Sequence, residues 1–223
     1  MKKNSTEIAK AIQNFLRSDD WKFSFDEKKE IFKFGLSSRS KIKRLHYHII
    51  VRDDGYTVYA SSPVGADRDD KDMMRNMGEF ICRANYGLRN GNFEIDFNDG
   101  EIRYKTFVDC DGGAIPTSEV IRDSIYLPAS MFKKYGDGIL DIIYQNISAK
   151  KAVAKCEGRE DEDDIQVLLD ELVDGEDEET KSLIERLAEK LHISPSEERA
   201  DSTAFPQDET VNVHTDVFAK KAY

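Results

Sequence analysis

The chain is poor in the residues that most often carry chemistry. Its 223 residues include three cysteines, four histidines and one tryptophan. Cys82, Cys110 and Cys156 lie far apart with no CxxC pair, so neither a disulfide framework nor a thiolate zinc site is expected, and a reducing cytoplasm fits best. No run approaches the ~18 apolar residues of a membrane span. The opening MKKNSTEIAKAIQNFL is interrupted by Asn4, Glu7, Lys10 and Gln13, which leaves no apolar core for a signal peptide. A Ser-His-Asp arrangement and a Gly-rich phosphate loop are also missing. These lacks predict a soluble cytoplasmic protein that needs no cofactor and has no membrane partner.

Charge is plentiful but unevenly placed. The net charge is -11, yet residues 157–223 hold 21 acidic and 7 basic side chains, a net of -14, leaving +3 for the remainder. Such asymmetry predicts a near-neutral folded domain over 1–156 and an acidic tail over 157–223. Phosphates repel carboxylates, which argues against nucleic acid as a partner of that tail.

Along the chain, Ile8, Ala11, Ile12, Phe15 and Leu16 recur at helical spacing behind Ser5 and Thr6. Trp21, Phe23 and Phe25 alternate as a strand, and Ile31, Phe32, Phe34 and Leu36 continue as another. In the strongest strand, Leu45–Arg52, one face carries Leu45, Tyr47, Ile49 and Val51. His46, His48 and Ile50 occupy the other, and both faces are expected to be covered. Asp53, Asp54 and Gly55 turn the chain back along Tyr56, Val58 and Ala60. Met73, Met77, Phe80, Ile81 and Ala84 then mark a helix face, on which Cys82 is read as an inert core thiol. Thr117 caps a helix bearing Val120, Ile121 and Ile125, and Pro128 is expected to start a second helical piece running to Ile147.

The segment Asn92–Asp109 is patterned most sharply. Phe93, Ile95 and Phe97 alternate with Asn92, Glu94 and Asp96 ahead of Asp99-Gly100. A type I′ turn centred on those two residues pairs Phe97 with Ile102 and Ile95 with Tyr104. It sets Asp96 across from Arg103 and Glu94 across from Lys105, each pair contributing ~0.2–1 kcal/mol. The element order α-β-β-β-β-α-β-β-α, with close strands joined by tight turns, predicts an α+β domain with an antiparallel sheet and flanking helices.

The stretch RANYGLRNGNFEIDFNDGEIRYKTFVDCDGG, a helix end, a short strand, a D-G turn and a second strand, resembles the bacterial YbjN family over roughly residues 5 to 150. The resemblance implies the fold of type III secretion chaperones, which are homodimers that bind extended peptide segments. It also implies a regulatory role of the kind described for sensory transduction. The long acidic tail departs from the secretion chaperones and sets their export role aside.

Two arrangements hint at chemistry. VDCDGG places Asp109 and Asp111 as in the nucleophile loop of haloacid-dehalogenase phosphatases, where one aspartate attacks phosphorus, its neighbour protonates the leaving group and both grip Mg²⁺. That loop belongs after a parallel strand, whereas this strand closes a hairpin, so a polar turn is the preferred reading and a small Mg-dependent phosphohydrolase the alternative. His46 and His48 share a strand face but lack an evident third ligand. The main expectation is a non-enzymatic, chaperone-like or regulatory module that holds a peptide segment of a protein partner. Tyr47, Tyr59 and Tyr86 are candidates for its contact surface, since tyrosine is enriched at interfaces. In the tail, Ile165, Leu168, Leu169 and Leu172 form one amphipathic stripe, and Leu183, Ile184, Leu187, Ala188 and Leu191 form another. Leu168, Leu172, Leu187 and Leu191 are expected to bury against the domain's partner groove until a partner displaces them.

Overall fold

A computed structural model describes residues 4–38 and 40–159, together with the single positions Ser182 and Arg186. The chain divides into two units, residues 1–170 and 171–223, and the fold lies in the first. Helix α1, Asn4–Ser18, turns Ile8, Ile12, Phe15 and Leu16 inward, as its period predicts. Four strands follow: β1 Phe23–Asp26, β2 Ile31–Ser37, β3 Arg44–Arg52 and β4 Gly55–Ser61. Helix α2, Lys71–Asn85, leads to β5 Asn92–Ile95 and β6 Ile102–Asp109, and then α3 Ser118–Gln145 and α4 Ala149–Glu157 complete the domain. The six strands form one antiparallel sheet in the order β1-β2-β3-β4-β6-β5, so the expected α+β class and element order hold, with α4 added.

The sheet buries one face only. In β3, Leu45, Tyr47, Ile49 and Val51 are buried while Arg44, His46 and Arg52 are exposed and His48 and Ile50 are partly so. The expectation that this strand is covered on both faces is therefore corrected. All the helices that pack on the sheet meet the same side, which is the arrangement that lets an antiparallel sheet leave its other face to water. The core formed there includes Phe32, Tyr47, Val58, Phe80, Phe93, Tyr104, Phe132 and Ile139. Burying each large side chain contributes about 1.5–3 kcal/mol.

Three further expectations change. First, α3 is one 28-residue helix running through Pro128. Proline removes an amide from the helical ladder and leaves the carbonyl four residues earlier without its partner. Buried phenols from the sheet support this weak turn. The Tyr47 hydroxyl donates to the Ile125 carbonyl at 2.9 Å and is within hydrogen-bonding reach of the Ala129 amide. Ser124 Oγ donates to the Ile121 carbonyl, so the Tyr56 hydroxyl, 3.1 Å away, is left to donate to Ser124.

Second, the β5–β6 register is shifted by two residues. Phe93 faces Tyr104, Glu94 faces Arg103 and Ile95 faces Ile102. The connection is longer than a type I′ turn because Asp96 Oδ1 accepts from the amide and the side chain of Asn98, and the Gly100 amide donates to the Asp96 carbonyl. Gly100, at φ +79°, lies so close to the Ala66 carbonyl that a Cβ would fall 1.9 Å from its oxygen. An even shift keeps every side chain on its expected face. It does eject Phe97 from the strand, leaving that ring 62% exposed. Third, Cys82 is exposed rather than core, while Cys110 is buried, and burial pushes the Cys110 thiol up. On the same helix Met74, not Met73, is fully buried.

Candidate binding surface

Strand register fixes what the uncovered face presents. Ser24 pairs with Lys33, Lys33 with His48, His48 with Tyr59, Tyr59 with Lys105 and Lys105 with Asn92, so these residues form one row across the sheet. One row away lie Gly35, His46, Ser61, Arg103 and Glu94. On the other side run Ile31, Ile50, Thr57 and Phe107, an apolar stripe ending in a ring that is 52% exposed.

The β4–β6–β5 half of the face is rigidly paired. Glu94 accepts from Arg103 at 2.8 Å and also from Lys105. Burial opposes ionisation of Glu94, but these two cationic donors outweigh it and hold its carboxyl below the usual range. The Arg103 guanidinium lies 4.5 Å from the centre of the Tyr59 ring, a cation–π contact that orients the phenol. Tyr59 thus sits, half-buried, near the middle of the face.

The β1–β2–β3 half is open. A trough of about 600 Å³ is lined by Lys22, Ser24, Lys33, Gly35, Arg44, His46 and His48, with Phe23, Phe34 and Tyr47 beneath. Over Gly35 the Arg44 guanidinium lies against the bare backbone, where a Cβ would stand 3.1 Å from its Nε and Nη2. Among the described residues, no acidic side chain lines it. Lys22, Lys33 and Arg44 form no ion pair among the described residues. Partial burial, reinforced by the Lys33 charge, pushes the His48 pKa below the usual imidazole value.

The sequence-predicted contact residues do not gather. Tyr59 lies on the open face, but Tyr47 is 1% exposed and points the other way into α3, so it is corrected from contact residue to core residue. Tyr86, 91% exposed, follows the last turn of α2 and belongs to a separate hollow with Arg83, Lys150, Val153 and Arg159. Leu168, Leu172, Leu187 and Leu191 lie outside the described residues. Lys33, Arg44 and Phe107 escaped the sequence reading although the period-2 pattern carries them. Lys33 lies between buried Phe32 and Phe34, Arg44 precedes buried Leu45 and Phe107 follows buried Thr106, and the presence of Ile50 beside the two histidines disguised an open face as a covered one.

Asp109 and Asp111 are both exposed and engaged locally. Asp109 Oδ1 accepts from the Asp111 amide at 2.8 Å, and Asp111 Oδ1 accepts from the Gly112 amide at 2.8 Å. They stand at the end of β6, antiparallel to β4 and β5, as the polar-turn reading has it. Among the described residues, no three His, Cys, Asp or Glu side chains group closely enough to hold a metal ion. Among the same residues no helix is long and apolar enough to cross a membrane. The chain matches no protein-family model, no curated protein and no solved structure.

Proposed function

We propose that the domain is a non-enzymatic, cytoplasmic binding module that holds a peptide segment of a partner protein on the uncovered face of its sheet. The observation that carries this reading is the one-sided burial of a six-stranded sheet whose bare face combines cations, a fixed tyrosine and an apolar stripe. Interfaces draw on these residue types, with aromatic and Arg side chains concentrated at their centres. Tyr59 and Arg103 are already held in place by Glu94 and by each other, so little side-chain entropy is lost when they are covered. The YbjN resemblance points the same way and adds self-association into a homodimer.

Panning an unbiased peptide library against the full chain tests this. Peptides should be enriched that lose binding to the Tyr59→Glu/Phe107→Glu variant while its far-UV circular dichroism matches that of the parent. A library yielding no binder, or only binders indifferent to that variant, contradicts the reading.

A further inference from the structure

We infer that the trough over Gly35 is a site for carboxylate-rich peptide segments. The inference rests on the peptide-binding reading and narrows it to one ligand chemistry and to one half of the face. Lys22, Lys33 and Arg44 surround the trough from three adjacent strands or their ends, with His46 and His48 between them and no carboxylate in the lining among the described residues. Elsewhere on the same face Arg103 and Lys105 are offset by Glu94. These three lack such a neighbour among the described residues, so their attraction is left for a ligand.

Spacing supports an extended peptide. Arg44, His46 and His48 follow at every second residue of β3, about 6.8 Å apart for a strand rise of ~3.4 Å. Alternate side chains of an extended segment have the same repeat. An acidic residue at every second position therefore meets the Arg44 charge at one end and that of Lys33, paired across from His48, at the other, with imidazole N–H donors between them. The Arg44 guanidinium lies over the bare backbone of Gly35, where a Cβ would crowd it, and so faces a ligand lying between Lys22 and His46. Nucleic acid is the poorer fit. Single-strand binding draws on rings that bases can stack on, but Phe34 and Tyr47 beneath the trough are buried and stacked on each other at 5.0 Å.

Fluorescence anisotropy with the full chain at low ionic strength provides the test. The probe is a labelled peptide of alternating Glu and Thr, compared with its Gln counterpart and with a short oligothymidylate. The Glu peptide should bind, weaken with salt and shift the ring signals of His46 and His48 in an NMR spectrum. Lys33→Glu/Arg44→Glu should lose about tenfold or more in affinity. Lys10→Glu/Lys151→Glu, which changes net charge equally at exposed sites on α1 and α4, should retain it. Lys33→Gln/Arg44→Gln gives the same comparison without reversed charges, should the first variant fail to fold. Equal loss in the α1/α4 control, binding of the Gln peptide as tight as that of the Glu peptide, or tighter binding of oligothymidylate at the same histidines overturns the inference. If the Glu peptide fails while library peptides still require Tyr59 and Phe107, the acidic specificity falls and the binding module stands.

Discussion

Buried hydroxyls give the sharpest single-residue expectations. Tyr47 and Tyr56 reach from neighbouring strands to the α3 turn that Pro128 weakens, so Tyr47→Phe should cost about 1–3 kcal/mol in urea unfolding by leaving a buried carbonyl short of a donor. Thr106 Oγ1 presents the opposite case. It is buried in the core strand with no hydrogen-bond partner among the described residues, so the near-isosteric Thr106→Val should raise stability by about 1 kcal/mol or more. His48 supplies a pH signature. Its folded pKa is lowered, so below the unfolded value of about 6.5 the unfolded chain binds more protons than the folded one, and stability falls as pH drops from there toward the folded pKa. An NMR titration placing His48 at or above 6.5 would contradict the burial and Lys33 effects assigned to it. Neither tyrosine role was readable residue by residue: the pattern tells which face Tyr47 is on, but not that its hydroxyl would enter a helix from another part of the chain.

At the scale of elements, period-2 and period-3.6 patterns located every strand and the main helices because each buries one face, and burial is what those periods encode. Turn geometry was harder. Asp99-Gly100 suits a type I′ turn, yet side-chain bonds from Asp96 and the tight contact with Ala66 favour a longer connection, and neither competitor is visible in a dipeptide. The prediction is a contrast between two glycines of similar φ. Gly100→Ala forces a methyl into the Ala66 carbonyl and should cost well over 2 kcal/mol, while Gly112→Ala, with open space around it, should cost only about 1 kcal/mol in the same unfolding assay. Similar costs would mean that the loop is not anchored on Ala66. Pro128 misled in the same way. Local chemistry says that a helix should break there, and contacts from distant strands override it.

For the molecule as a whole, the class of fold and the face of the sheet that meets the core were written in the sequence, but the strongest strand read as covered on both sides, so the proposed binding face was legible only as a leftover: the residues that alternate with the core. Its trough is assembled from strands brought together by topology, with Arg44 lying over the bare backbone of Gly35, which no local pattern announces. The homodimer implied by the family resemblance predicts a light-scattering mass near twice the 25.5 kDa of one chain, and a value of one chain would count against it. The central claim, that partners lie on the bare face of the sheet, is tested most directly by photo-cross-linking. A benzophenone amino acid placed at Tyr59, on that face, should capture a library-selected peptide, whereas the same group at Tyr144, 71% exposed on α3, should not. Capture from position 144 with none from position 59 would place the binding surface on the helical side and contradict the account.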